Sequence, residues 1–197
     1  EDMAVLTGDA FFIEAFDVIA HDMLNKFESE TSSLPYIKAM LKANSILANK
    51  SGMKGMIGGE VIDVEFTGKA VDKEVLEVIY NLKTSALIEA SMLIGSVLGM
   101  AGNGELAIIE EVARSVGMAF QIRDDILDAT SSTEVLGKTA GLDEKNNKTN
   151  YVSLYGLDKA KKECHRLSKE AKDLLLSLDR DTTTLRKIIE GLIDRES

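Results

Sequence analysis

The sequence predicts an all-α fold, and three observations carry the prediction. Its 197 residues contain one proline and no tryptophan, and Ala, Leu, Ile, Lys and Glu, which favour helix at most positions, dominate. Apolar residues recur at helical spacing through most of the chain. No stretch alternates convincingly with the period of a strand, and no repeat of fixed length is convincing.

The elements follow in order. Met3 to Phe27 carries a wide apolar stripe through Leu6, Phe12, Phe16, Ile19 and Met23, which predicts a helix interrupted early by Gly8-Asp9. Ser33 is an N-cap candidate with Pro35 in the first turn behind it, so a second helix is expected to run to about Lys50 and stop at Gly52. Four glycines between Gly52 and Gly59 suit tight turns or the close approach of one backbone to another. A third helix is expected from Asp72, a good N-cap, to about Asn81, and another helical pattern runs from Leu82 to Met100. Gly102-Asn103-Gly104 is the clearest break, and a long helix is expected from Glu105 to about Asp128. The polar stretch Ala129 to Asn150 reads as a functional loop, because compact domains rarely carry so long a connection without a use for it. Helices at about Asp158 to Leu178 and Thr184 to Asp194 complete the chain.

Composition narrows the classes of function. Hydrophobic residues make up 45% and charged residues 28%, a globular balance that fits one domain with a sizeable core. A net charge of −10 argues against a nucleic-acid surface, which needs clustered Lys and Arg. Diphosphate remains open to an acidic protein when a divalent cation bridges the two negative partners. The most apolar stretch, Ser85 to Ala101, carries Glu89 and several small residues; a buried core helix is expected there rather than a membrane span. The single cysteine, Cys164, forms no internal disulfide and gives no sign of an oxidising compartment, so the expected location is cytoplasmic. The chain starts at Glu1 with a helical pattern already running by Met3; it is expected to lack its natural N-terminus.

The strongest chemistry lies in Phe120-Gln121-Ile122-Arg123-Asp124-Asp125-Ile126-Leu127-Asp128. On a helix Asp124 and Asp128 share a face one turn apart, and Gln121 lies on the same face. Two carboxylates so placed repel each other, and Mg²⁺ relieves this, since it takes one or two carboxylates plus waters and substrate phosphates. Alone, such a string is more often a solvated surface. Its neighbours change the balance. Lys83-Thr84 opens the most apolar helix, where a lysine needs a partner. Gly137-Lys138-Thr139 and Asn147-Lys148-Thr149 place lysines on the polar stretch, and lysine is a good point-charge partner for phosphate. His21 and His165 are expected to be surface residues. Cys164 and its neighbour diverge by about 100° around a helix, so no nucleophilic pair forms.

The ordered set Leu6-Thr7-Gly8-Asp9-Ala10-Phe11, Gly58-Gly59-Glu60-Val61-Ile62-Asp63, Lys83-Thr84-Ser85-Ala86-Leu87, Phe120 to Asp128 and Gly137-Lys138 resembles the trans-isoprenyl diphosphate synthases, the farnesyl and geranylgeranyl diphosphate synthase family. The resemblance spans almost the whole chain. It implies an antiparallel helical bundle of the isoprenoid synthase type and a head-to-tail condensation of isopentenyl diphosphate with an allylic diphosphate. Asp124, Asp125 and Asp128 would form the second aspartate-rich motif and hold Mg²⁺. Lys83, Lys138 and Lys148 would bind diphosphate, and Lys83, Thr84 and Gln121 would present oxygens to the developing allylic cation. The product would grow along an apolar tunnel, with Phe11, Phe12 and Phe16 either beside it or simply core. A homodimer is expected on the same ground.

The sequence departs from the family pattern in four places. The first aspartate-rich motif and the N-terminal basic residues that bind isopentenyl diphosphate are absent from these 197 residues, so the polypeptide as given is expected to be incomplete for activity. Glu60 stands where glutamine is usual, and Thr130-Ser131-Ser132-Thr133 lacks the common Gly-Asp. A terpene cyclase of the same fold and a non-catalytic subunit of a heteromeric prenyl synthase are the alternatives, with an acidic helical scaffold further away. Product length is not legible, beyond a slight preference for farnesyl or geranylgeranyl chains.

Overall fold

The computed structural model describes residues 2–28, 33–130 and 149–193. These form α1 (Asp2–Glu28), α2 (Leu34–Ser51), α3 (Met56–Glu65), α4 (Lys73–Ile79), a π-helical segment (Tyr80–Ser85), α5 (Ala86–Leu98), α6 (Asn103–Thr130), α7 (Tyr151–Tyr155), α8 (Leu157–Leu176) and α9 (Thr183–Ile193). The all-α expectation is met, and no strand occurs among the described residues.

Helix α6 is the axis of the bundle. Helices α5, α7, α8, α9 and the π segment all pack on it. Its inward stripe of Ile109, Val112, Val116, Ala119, Ile122 and Ile126 is buried with Leu167, Ala171 and Leu175 of α8. Each large apolar side chain buried this way contributes roughly 1.5–3 kcal/mol. Helix α2 lies along α5, and the one acid of α5, Glu89, is buried there as the ion-pair partner of Lys50. A charge inside the most apolar helix is thus compensated, as burial of a carboxylate requires.

Three details differ from the expectations. Gly8 does not interrupt α1, which runs unbroken through it; one glycine costs a helix only about 1 kcal/mol. The glycine-rich stretch holds a helix, α3, instead of turns alone. Asp72 caps as expected, accepting from the Val75 amide at 2.9 Å, but α4, the π segment and α5 follow one another without a break. Helix α1 touches α2 only lightly, and much of its stripe, including Leu6, Phe11 and Ile13, is exposed. Phe12 and Phe16 pack edge to face at 5.5 Å. They belong to no enclosed core among the described residues.

The π segment is where three elements meet. A π turn carries one residue more than an α turn and is common at functional sites. Here it is clamped from two sides by glycines. A Cβ on Gly59 of α3 would lie 2.3 Å from the Lys83 amide nitrogen and 2.7 Å from the Leu82 carbonyl carbon. One on Gly117 of α6 would lie 2.4 Å from the Ser85 Cβ. Both helices therefore press backbone against the turn that carries Lys83 and Thr84. The glycine expectation of close approach holds at Gly59.

Candidate active site

Lys83 and Thr84 leave the π segment on the side where α6 brings Gln121 and Asp125. The Thr84 hydroxyl donates to Gln121 Oε1 at 2.7 Å, and Gln121 Nε2 reaches Asp125 Oδ1 at 3.5 Å. Asp125 is buried, and its Oδ2 accepts from the Tyr80 hydroxyl and, at 2.8 Å, from the Tyr151 amide. These side chains line a cavity of about 70 Å³ together with Lys83, Thr149 and Asn150. Asn150 also caps α7, accepting from the Ser153 amide at 2.8 Å while Ser153 Oγ accepts from the Asn150 amide at 2.9 Å. Tyr80, Tyr151 and Asn150 are site residues that the sequence reading missed. Nothing in their residue types marks them, because their role depends on the chain returning to α6 after residue 148.

Lys83 has the partner that its position in an apolar helix demanded. Its Nζ donates to Asp63 Oδ2 at 2.6 Å and lies 2.7 Å from Glu60 Oε2. Burial alone would lower the Lys83 pKa, but the Asp63 and Glu60 carboxylates outweigh it and hold the ammonium above its ordinary range. Lys83 is therefore charged at every physiological pH, facing the cavity from between two carboxylates of α3.

The three aspartates divide. Asp124 and Asp128 are half-buried on one face of α6, whereas Asp125 points inward and is only 3% exposed. Among the described residues no three acids, histidines or cysteines converge on one point. Two carboxylates one helical turn apart nonetheless fit Mg²⁺, whose remaining positions are filled by water and substrate phosphate. The expected phosphate partners Lys138 and Lys148 lie outside the described residues.

Other expectations resolve simply. His21 and His165 are exposed. Cys164 is buried on the α8 face that meets α6, its thiol 3.5 Å from the Ala119 carbonyl oxygen, so it is part of the packing. A larger cavity of about 540 Å³ between α5, α6 and α9 is lined by Ile88, Met92, Ile109, Leu185 and Ile189 among others. It carries none of the chemistry described above.

The sequence profile of the polyprenyl synthetase family matches residues 1–190. The chain belongs to that family. It is 41% identical over 180 residues to a chloroplastic geranylgeranyl pyrophosphate synthase of Capsicum annuum, covering 91% of this chain and 46% of that protein. It is 36% identical over 200 residues to the farnesyl diphosphate synthase of Escherichia coli strain K12, covering 99% of this chain and 64% of the relative. A solved geranyltransferase of Helicobacter pylori, complexed with magnesium and isoprenyl diphosphate, superposes with a TM-score of 0.78 at 28% identity, over 98% of this chain and 60% of that one. The chain spans about half the length of several curated relatives. No helix among its described residues is long and apolar enough to cross a membrane.

Proposed function

We propose that this chain supplies the second aspartate-rich face of a prenyltransferase that condenses isopentenyl diphosphate with an allylic diphosphate to a short-chain product of the farnesyl or geranylgeranyl type. The observation that carries the reading is the pairing of Thr84 with Gln121 at 2.7 Å, beside a charged Lys83 and on the helix that presents Asp124 and Asp128. Bound Mg²⁺ would neutralise the diphosphate as a Lewis acid and make it a better leaving group; Asp124 and Asp128 are its proposed holders. Asp125 is so engaged by Tyr80 and Tyr151 that a ligand role falls to its neighbours.

The chain's own residues then do three things. Lys83 offers a fixed positive charge to diphosphate oxygens. Thr84 gives its hydrogen to Gln121, which leaves oxygen lone pairs for the electron-poor allylic carbon, so preorganised dipoles face the charge as it develops. Lys138 and Lys148 are proposed as further diphosphate contacts. A matching acidic face, lacking in these 197 residues, completes the clamp. A homodimer is the proposed assembly, in keeping with the apolar residues that α1 leaves exposed. Cytoplasm is the proposed location, because the single thiol suits a reducing compartment.

Incubation of the full-length protein with isopentenyl diphosphate, an allylic primer and Mg²⁺ tests this. The expected result is a primer lengthened by isoprene units. Primer turned into a hydrocarbon without use of isopentenyl diphosphate would establish a terpene cyclase instead. No consumption of either substrate would point to the non-catalytic subunit.

Glu60 makes a quantitative prediction. It competes with diphosphate for Lys83 and adds repulsion, but it is half exposed, so its share is worth at most about 1 kcal/mol. Glu60→Gln is expected to lower the KM for the allylic substrate about two- to fivefold with kcat little changed, as steady-state kinetics at fixed Mg²⁺ would show.

A further inference from the structure

Of the two adjacent acids in the motif, one faces outward and one is built into the protein, and the buried one has a geometry that a metal ligand does not need. Asp125 Oδ2 is gripped by two donors, the Tyr80 hydroxyl and the Tyr151 amide, and the Tyr151 amide also lies 3.2 Å from the Tyr80 oxygen. Its other oxygen faces the Gln121 amide nitrogen. A carboxylate only accepts hydrogen bonds, so the group opposite it must present donors. Gln121 must therefore turn its NH₂ toward Asp125 and its oxygen toward Thr84. An oxygen there only accepts, so the Thr84 hydroxyl donates.

We propose that Asp125, held by Tyr80 and the Tyr151 amide, is a positioning residue that fixes the amide orientation of Gln121 and thereby aims the Thr84 lone pairs at the reacting carbon. The inference rests on the prenyltransferase reading. With asparagine at 125, the two donors at the Oδ2 position keep the amide oxygen there, and the NH₂ group faces Gln121. Gln121 then turns its oxygen toward residue 125 and its NH₂ toward Thr84. The Thr84 hydroxyl becomes an acceptor and points its hydrogen into the cavity, so the dipole that met the cation is reversed. Tyr80→Phe acts more mildly, since it removes one of the two donors and leaves the carboxylate.

The test uses the full-length protein with saturating isopentenyl diphosphate, titrating allylic primer and Mg²⁺ separately. Asp125→Asn is expected to lower kcat about 100-fold, the order of magnitude that loss of one preorganised dipole facing the developing charge costs. The primer KM and the Mg²⁺ needed for half-maximal rate stay within about twofold of wild type. In a Gln121→Ala background the same substitution is expected to cost less than about twofold, because its route to the substrate is gone. A Mg²⁺ requirement raised as it is by Asp124→Ala would make Asp125 a ligand and overturn the proposal. An equal loss in both backgrounds would reduce it to support of the fold, and an unchanged kcat would also overturn it. If Asp125→Asn fails to fold, Tyr80→Phe is read against its own milder expectation, a kcat loss of about two- to tenfold that disappears in the Gln121→Ala background; an equal loss in both backgrounds, or none, overturns the proposal. A wild-type protein that consumes no isopentenyl diphosphate sinks the prenyltransferase reading and this inference with it. An active wild type with an indifferent Asp125→Asn sinks the inference alone.

Discussion

Asp124→Ala is expected to weaken Mg²⁺-dependent binding of diphosphate sharply, raising the Mg²⁺ requirement, and to lower the rate of condensation by about two to three orders of magnitude. The size follows from what a metal-held leaving group contributes, several kcal/mol of charge stabilisation, with each 1.36 kcal/mol a factor of about ten. Asp124 shares its face of α6 with Asp128, and alanine leaves one carboxylate where Mg²⁺ takes one or two. Calorimetric titration with inorganic diphosphate, with and without Mg²⁺, separates binding from turnover. The fold should hardly notice, because Asp124 is only half-buried and α6 is fastened by its other face. Unchanged binding in the variant would leave the acidic face as solvated surface and the scaffold reading in its place.

Gly59→Ala is the second large effect, and it arises from backbone alone. The added methyl meets the Lys83 nitrogen and the Leu82 carbonyl carbon, atoms that belong to a helix and have no rotamer through which to retreat. Overpacking of this kind costs up to about 3 kcal/mol, which in a chain of this size lowers Tm by about 6 to 12 °C. The structure has its own control. Gly191 in α9 has nothing within 4 Å of its built Cβ, and Gly191→Ala should stabilise by about 0.5 to 1 kcal/mol through the unfolded chain. Differential scanning calorimetry of the pair checks both signs. In Gly59→Ala, whatever folds must carry Lys83 and Thr84 displaced, so loss of activity should exceed what the remaining folded fraction explains.

Much of this architecture was legible because hydrophobic period is a long-range signal. The stripe of α6 repeats across most of its 28 residues, and Ser33 and Asp72 stand at the helix starts expected of them, although only Asp72 caps with its side chain. Helix α3 was not legible. Gly55, Gly58 and Gly59 read as tight turns or points of close backbone approach, and the local sequence does not contain the neighbour that Gly59 meets, the π segment. The division of labour between Asp124 and Asp125 was half legible. Adjacent residues diverge by about 100° on a helix, so both acids could not serve one face equally, yet only Tyr80 and Tyr151 reveal where the second one goes. Lys83 shows the opposite case, since its need for a partner followed from its apolar surroundings, and Asp63 answers it.

The π segment has one more consequence. Its six residues, Tyr80–Ser85, hold one residue beyond the count of a plain helical rod. Removing any one of them would let Lys73 to Leu98 wind as a single α-helix. The α turns on either side would keep nearly the same phase, so Leu76 and Ile79, now 3% and 5% exposed, would stay on the core, while the wide turn that carries Lys83 and Thr84 would be lost. The rod would be no less helical and its residue types no less suitable. A one-residue deletion would here leave the packed rod largely in place and remove the turn that carries the chemistry.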